Sequence, residues 1–333
     1  IIHKTKTDDV RYFFKINNFP EIKELKKLIN FLESFQPNLI IAIGGGSVID
    51  YAKIANIKDI GNNLVKKIHQ KLHIGKEKIA KMIAIPTTAG SGAEVTSGAV
   101  IYINKIKYSI DNKIIIPDKY FLLPKIIMKN KKKLKASSGF DAISQSVESI
   151  ISLKSNNKSL LYAKKSLSIS LKNYLSFLKK PNFYNSSNMS IAAMLAGKAI
   201  NISKTTAPHA VSYPFTSHFN VSHGHAVSLT LEKFLKFNYK NQNKCKADFN
   251  LNDRYKILFK IFGVKNIYDL NLKIKDIKYE AKLIDNFKRL NIDIKKHYPK
   301  ILKEINIKRL KNNPIELSKS DIKLILLDNY NDE

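Results

Sequence analysis

The chain is poor in several residue types: its 333 residues include one cysteine (Cys245), no tryptophan, 12 glycines and 10 prolines. A single cysteine excludes an intramolecular disulfide framework. No apolar run approaches the roughly 20 residues that a membrane-spanning helix needs, and the sequence shows no secretory signal pattern. These absences predict a cytoplasmic protein without a membrane partner. The 44% hydrophobic content is enough for sizeable cores.

Acidic residues are also scarce, since 58 lysines and arginines face 27 aspartates and glutamates, giving a formal net charge of +31. Such a charge by itself suggests a nucleic-acid partner. The basic residues, however, are almost all lysines, are spread along the chain and alternate with isoleucine and asparagine, as a global compositional bias would produce. We therefore expect no specific nucleic-acid partner, and we interpret the densest run, "KNKKKLK" (residues 129–135), as a solvated linker.

Although glycine is scarce, three glycines occur together in "NLIIAIGGGSVIDYAKIA" (residues 38–55). Residues 39–43 predict a buried parallel strand, and residues 48–56 predict a helix. Glycines allow a sharp turn or a close approach of the backbone, and a helix N-terminus attracts anions. A phosphate cradle and a simple tight turn both fit, because neither GxGxxG nor the P-loop is matched.

A second polar loop, "PTTAGSGAEVT" (residues 86–96), follows another apolar strand predicted over residues 79–85. The C-terminal ends of parallel strands meet at one edge of a sheet, where ligands bind. We therefore expect the two loops to face one crevice. A loop whose polar groups serve only its own structure is the alternative.

The helical character of the chain increases after Lys135, with helical patterns over residues 139–152, 159–177 and 187–202. Residues 10–14 suggest a short strand and residues 22–35 an amphipathic helix. Alternating strands and helices predict a parallel α/β sheet. The sequence thus predicts an α/β domain over residues 1–132 and a helical domain over residues 133–333.

The helical half contains a candidate metal site. Asp141 and Gln145 are four residues apart, on one face of a predicted helix. The segment "KTTAPHAVSYPFTSHFNVSHGHAVSLTL" then holds four of the eight histidines, which are His209, His218, His223 and His225. Imidazoles and a carboxylate suit zinc or ferrous iron. Histidines with only a structural or surface role are the alternative.

Together the three motifs resemble the iron-containing (group III) alcohol dehydrogenases. The family pattern GGGSxxDxAK matches residues 44–53, and the PTTxGTGSE-type loop matches residues 86–94 with Ser91 and Ala93 as departures. Asp141 fits the first metal ligand, and His209 and His223, fourteen apart, fit the last two. The similarity covers nearly the whole chain. It implies a Rossmann-like dinucleotide-binding domain and an all-α metal-binding domain, an architecture shared with dehydroquinate synthase, with the active site between them.

The resemblance also implies cofactors and site residues. The cofactors would be a divalent metal, with iron favoured over zinc, and NAD(H) or NADP(H). The implied metal ligands are Asp141, Gln145, His209 and His223. The implied cofactor contacts are Gly44, Gly45, Gly46, Ser47, Asp50, Thr87, Thr88, Gly90, Ser91 and Lys107. Tyr213 and His225 are the candidate catalytic residues for the proton, with His218 as a further candidate.

Two features depart from the family pattern. Gln145 stands where most members have a histidine ligand, and an amide oxygen is a weaker ligand. A site with three strong ligands and a site of reduced affinity both remain open. The family also usually opens with a further strand–helix–strand, so we expect a chain that is N-terminally incomplete relative to the family, as a truncated or a decayed copy.

The segment around His209 and the Asp141–Gln145 pair are most similar to the phosphonoacetaldehyde reductase branch. This similarity implies a small anionic aldehyde as substrate, reduction of phosphonoacetaldehyde to 2-hydroxyethylphosphonate, and a homodimer. Lys198 and Lys204 are candidates for holding the anion. A metal-dependent lyase of the dehydroquinate synthase type and a non-catalytic remnant are the alternatives.

Overall fold

The computed structural model describes residues 9–16, 20–70, 75–305 and 307–331. Its N-terminal part combines a three-stranded parallel sheet, of order β1-β2-β5, with an antiparallel β3-β4 hairpin and surrounding helices. The elements of this part are α1 (Ile22–Phe35), β1 (Leu39–Gly44), α2 (Gly46–Ala55), α3 (Leu64–Gln70), β2 (Lys81–Pro86), β3 (Gly98–Ile103), β4 (Ile106–Asp111), β5 (Lys119–Tyr120) and α4 (Pro124–Met128). The predicted α/β arrangement is confirmed.

The second part is helical, as predicted. Its central helix, α5, is buried along most of its length and packs against α6, α7 and α9. The helices are α5 (Lys132–Ile151), α6 (Asn157–Lys179), α7 (Phe183–Ser203), α8 (Ala207–Phe219), α9 (His223–Ser228), α10 (Leu231–Lys240), α11 (Leu251–Phe262), α12 (Ile267–Glu280), α13 (Ile294–Glu304), α14 (Ile307–Leu310) and α15 (Lys319–Asn331). Within the described residues, no helix is both long and apolar enough to cross a membrane.

Three local predictions were wrong. Residues 10–14 form no strand, and Arg11 instead lies over the Phe35 ring at the end of α1. Residues 129–135 are not one linker, since α5 already begins at Lys132. The strand β1 is parallel to β2 as predicted, but Leu39, Ile41 and Ile43 are 46%, 41% and 50% exposed. These three residues alternate along β1 with Ile40 and the buried Ala42, so they share one face of the strand, and that face is the exposed one.

The two parts meet where residues 86–96 press against α7. Gly92 has a positive φ of 61°, and a Cβ atom at this residue would lie 2.4 Å from the Cα atom of Gly197. Only glycine allows both the left-handed backbone and this approach. Beside it, the Ser97 amide donates to the Asn201 side chain at 2.8 Å. These contacts fix the polar loop against the helical part.

Candidate active site

The two glycine-containing loops lie in contact, as the sequence predicted. The amide of Thr87 donates to the carbonyl of Gly44 at 2.9 Å. A Cβ atom on Gly46 would lie 2.6 Å from Ser91 Oγ, and one on Gly45 would lie 3.5 Å from Thr88. The glycines of the turn do not have positive φ, and what Gly46 provides here is space for the second loop, whereas Gly44 leaves space for the Val48 side chain of the following helix.

The turn leads directly into α2, whose N-cap is Gly45. No side chain among the described residues caps this helix, and residues 45–47 are partly exposed. The first amides of a helix carry unpaired N–H groups and the positive end of the dipole. With the hydroxyl-bearing Thr88 and Ser91 beside it, this end of α2 fits an anionic group such as a diphosphate.

Two further residues of the GGGSxxDxAK pattern join α2 to the β3 strand. Asp50 Oδ2 accepts a hydrogen bond from the Val100 amide at 2.9 Å. Lys53 Nζ donates to Thr96 Oγ1 at 3.0 Å and to the Gly98 carbonyl at 2.8 Å. Burial raises the pKa of Asp50 to about 6 and lowers that of Lys53 to about 8. The contacts of Asp50 seen here position the helix.

The second loop also reaches the helix that carries Asp141. A Cβ atom on Gly90 would lie 2.6 Å from the Ser138 carbonyl oxygen on α5. The side chain of Asn130 donates to the Thr87 carbonyl at 2.7 Å. Ser138 is three residues before Asp141 on α5, so the predicted cofactor loop contacts this helix less than one helical turn from the predicted metal ligand.

Asp141, His209 and His223 converge, although they come from α5, α8 and the first residue of α9. His209 Nε2 lies 3.1 Å and His223 Nε2 lies 4.0 Å from Asp141 Oδ1. The three ligand atoms all lie within 4.8 Å of one another, as they would around one metal ion.

A residue that the sequence reasoning missed, Glu148, orients one of these ligands. Its Oε1 atom pairs with His209 Nδ1, and its Oε2 atom accepts from the Thr206 amide and hydroxyl at 2.7 and 2.8 Å. A carboxylate behind a ligand histidine fixes the ring and its tautomer. Burial lowers the pKa of His209. The carboxylates of Glu148 and Asp141 raise it by more, so that the pKa of His209 is about 9. The helical spacing of residues 141, 145 and 148 was the available signal.

Gln145 also faces this cluster. Its Nε2 atom donates to Asp141 Oδ2 at 3.1 Å. Its Oε1 atom is buried and accepts no hydrogen bond within the described part of the chain. A buried oxygen without a hydrogen bond costs free energy in the folded protein. A cation held at the three neighbouring ligand atoms would give this oxygen a partner, so a cation fits the donor set of this site.

Tyr213 forms the wall beyond His223. The two rings stack with centroids 5.9 Å apart, and Arg309 donates a hydrogen bond to the tyrosine side chain. Lys107 Nζ lies 3.3 Å from the centroid of the Tyr213 ring. Burial and the charge of Arg309 lower the pKa of Lys107 well below its usual value. The structure thus places Lys107, predicted as a cofactor contact, beside the metal cluster.

The remaining candidates lie outside the cluster and have other partners. His225 Nε2 donates to the Ile284 carbonyl at 2.8 Å, and His218 Nε2 pairs with Glu304 at 2.6 Å. Lys204 pairs with Asp111 at 2.6 Å. Lys198 Nζ lies 5.8 Å from the Tyr162 ring centroid. None of these contacts brings the four side chains to Asp141.

Comparison with known families agrees with this geometry. Residues 2–124 match the family described as iron-containing alcohol dehydrogenase, and residues 135–330 match the C-terminal part of the Fe-containing alcohol dehydrogenase family. The chain belongs to the iron-containing alcohol dehydrogenase family. The family resemblance drawn from the motifs is confirmed.

Individual members of the family are more distant. The chain is 31% identical over 240 residues to a 4-hydroxybutyrate dehydrogenase from Clostridium kluyveri, covering 69% of this chain and 63% of that protein. It is 28% identical over 217 residues to a phosphonoacetaldehyde reductase from Streptomyces viridochromogenes, covering 62% of this chain and 55% of that protein. It thus spans less than two thirds of either relative.

A solved structure shows the same fold. A sulfoacetaldehyde reductase from Bifidobacterium kashiwanohense, in complex with NAD+, superposes with a TM-score of 0.86 at 24% identity. The superposition covers 96% of this chain and 84% of that one. The fold prediction for this family member is therefore confirmed at both the sheet and the helical part.

Proposed function

We propose that this protein is a metal-dependent, nicotinamide-linked alcohol dehydrogenase that acts as an aldehyde reductase. The observation that carries the proposal is the convergence of Asp141, His209 and His223 beside the buried, unpaired oxygen of Gln145. This cluster lies next to the residue 86–96 loop, through the contact of Gly90 with Ser138. The proposed cation ligands and the proposed anion-binding helix end are thus both next to this loop.

The metal would be held by Asp141, His209 and His223, with Gln145 as a weaker fourth ligand. A divalent cation supplies Lewis acidity toward a carbonyl oxygen, and family membership favours iron over zinc. Burial raises the pKa of Asp141. The hydrogen bond from His209 and the nearby charges of His223, His209 and Lys107 lower it by more, so that it lies below its usual value. Asp141 is therefore suited to this role as an ionised carboxylate. Glu148 keeps His209 Nε2 directed at the same point.

The nicotinamide cofactor, NAD(H) or NADP(H), would place its diphosphate on residues 44–47 at the start of α2. Thr87, Thr88, Gly90 and Ser91 would hold the adjoining part, since their loop lies against the same turn. When bound, the cofactor supplies the hydride for the carbonyl carbon. Asp50 supports this arrangement by fixing α2 to β3.

The proton for the carbonyl oxygen would come from the side of the cluster formed by Tyr213. Burial raises the pKa of this tyrosine, so its hydroxyl is protonated at neutral pH. Stacking on His223 holds the ring next to a metal ligand. We retain Tyr213 as the proposed proton donor. For His225, whose Nε2 is occupied by the Ile284 carbonyl, the catalytic role stays a prediction without a supporting contact.

For the substrate we propose a short aldehyde that carries an anionic group, with phosphonoacetaldehyde as the first candidate and 2-hydroxyethylphosphonate as its product. The support is that the names of two relatives, 4-hydroxybutyrate dehydrogenase and phosphonoacetaldehyde reductase, both specify such molecules. A domain boundary between residues 132 and 133, a homodimer and a cytoplasmic location stay predictions.

The test is a substrate panel with the metal-loaded protein. Oxidation of NADH and NADPH is followed with phosphonoacetaldehyde, succinic semialdehyde and propionaldehyde. We expect oxidation that depends on aldehyde and is lost when the metal is removed. Turnover of a sugar-phosphate lyase substrate without net cofactor oxidation would instead establish the dehydroquinate synthase alternative. Absence of any turnover, with no binding of metal or cofactor, would establish the non-catalytic alternative.

A further inference from the structure

Arg309 is one of four arginines in a chain whose basic residues are otherwise lysines. It lies on the short α14 helix, far along the chain from the metal cluster. Its Nη1 atom donates to Thr205 Oγ1 at 2.6 Å, and its guanidinium also bonds to the Tyr213 hydroxyl. One tyrosine ring therefore separates this arginine from the metal ligand His223.

A second cation reaches the same ring from the N-terminal part. Lys107, on β4, has its Nζ atom 3.3 Å from the Tyr213 centroid. Burial is the main cause of the lowered pKa of Lys107, and the charge of Arg309 adds to it. An anion bound beside these two basic groups would favour their charged forms.

The carboxylates of the surrounding elements already have other partners. Asp111 pairs with Lys204, Asp50 accepts from the Val100 amide, and Glu148 is taken up by His209 and Thr206. Asp141 belongs to the metal cluster. Arg309 and Lys107 thus bring two basic side chains to one tyrosine ring beside the metal cluster, an arrangement that fits the anionic group of a ligand.

We propose that Arg309, assisted by Lys107, binds the anionic end of the substrate while the aldehyde end faces Asp141, His209 and His223. This inference rests on the proposed function and makes Arg309 its specificity-determining residue. A guanidinium suits the role, because its fork of N–H groups matches the oxygens of a phosphonate or carboxylate. The spacing of one aromatic ring favours anionic aldehydes of a few carbons.

The kinetic test compares Arg309→Gln and Arg309→Lys with the wild type on phosphonoacetaldehyde, succinic semialdehyde and neutral propionaldehyde. We expect Arg309→Gln to raise KM for the two anionic aldehydes by about 10- to 100-fold, the loss typical of hydrogen bonds to a charged group. The kcat/KM for the anionic aldehydes should fall about tenfold more than that for propionaldehyde, because an effect of Arg309 on the Tyr213 hydroxyl is common to all three substrates, and Arg309→Lys should recover part of this difference. Arg289→Gln, at an exposed arginine, is the matched control.

A binding measurement separates this inference from the proposed function. Phosphonoacetate, which cannot be reduced as an aldehyde, should raise the melting temperature of the wild type and of Arg289→Gln but not of Arg309→Gln. If the wild type reduces no aldehyde, the proposed function fails while the binding result still decides the role of Arg309. Equal stabilisation of all three proteins, or an equal loss of kcat/KM on neutral and anionic aldehydes, would show that Arg309 is only structural.

Discussion

At the residue scale, the candidate site is organised around the carboxylate of Asp141. Its Oδ1 atom faces the Nε2 atoms of His209 and His223, while its Oδ2 atom accepts from Gln145. The carboxylate is therefore held by neighbours that would have to turn only slightly, or not at all, to share a cation. Glu148 fixes the least adaptable of these neighbours, the ring of His209, from behind.

The first prediction concerns Glu148. Glu148→Gln keeps the shape of the side chain but removes the charge that fixes His209 with its proton on Nδ1. We expect metal affinity to fall by about 10- to 100-fold, as with other partners of ligand histidines. Competition with a chelator, followed by metal analysis, measures this. Glu304→Gln, at the His218 pair outside the cluster, is the matched control. Equal metal retention in both variants would contradict the assignment.

The second prediction concerns the pH dependence of stability at Lys53. Its pKa is about 8 in the folded chain because of burial, against 10.5 ordinarily, so the unfolded chain binds more protons between these values. The contribution of Lys53 to the free energy of unfolding should therefore rise with pH from about 8 to 10.5, by about 3 kcal/mol. Urea unfolding at several pH values measures this. The rise should disappear in Lys53→Met. It should persist in Lys27→Met, the control at an exposed lysine. Identical pH profiles for the two variants would disprove the attribution of the rise to Lys53.

At the element scale, the cluster depends on how closely α9 approaches α5. A Cβ atom on Gly224 would lie 2.0 Å from the Ser137 carbonyl oxygen and 2.9 Å from the Asp141 Cβ atom. The residue before it is His223, so the same contact that requires glycine also sets the distance between two metal ligands. Packing of this kind cannot relax by a rotamer change, because the obstacle is backbone.

The third prediction follows from this contact. Gly224→Ala should separate α9 from α5. The free energy of unfolding should fall by about 1–3 kcal/mol, as is typical of overpacking. Metal binding should also weaken, because His223 moves away from Asp141. Denaturant unfolding and metal content measure the two effects. Gly98→Ala is the control, since the nearest neighbour of its added Cβ atom would be the Ile110 carbonyl oxygen, 4.0 Å away. A Gly224→Ala variant that keeps full metal content would show that α9 is not held as described.

The same scale shows what the sequence could and could not reveal. The amphipathic helix over residues 22–35 was predicted with the observed bounds, because its apolar spacing is a local property. The β3-β4 hairpin was missed, and β1 was wrongly expected to be buried, since pairing and coverage depend on distant segments. The motifs gave Asp141, His209 and His223, which the structure brings together. Arg309 escaped notice because its partners Thr205 and Tyr213 are about a hundred residues away in sequence.

At the scale of the whole molecule, the sheet and the helical part are joined along one line of contacts. Gly92 packs on Gly197, and Lys204 of the helical part pairs with Asp111 of the hairpin. The proposed anion-binding turn belongs to one part and the proposed metal ligands to the other, so the proposed site requires that this junction be preserved. The net charge of +31 is spread over the chain.

The most direct test of the account measures metal content together with aldehyde-dependent oxidation of NADH and NADPH in the wild type, His223→Ala and His218→Ala. We predict about one divalent metal, chiefly iron, per chain in the wild type, with metal and turnover both lost in His223→Ala and both kept in His218→Ala. A His223→Ala variant with full metal content and an unchanged rate would contradict the central claim that Asp141, His209 and His223 form the catalytic metal site.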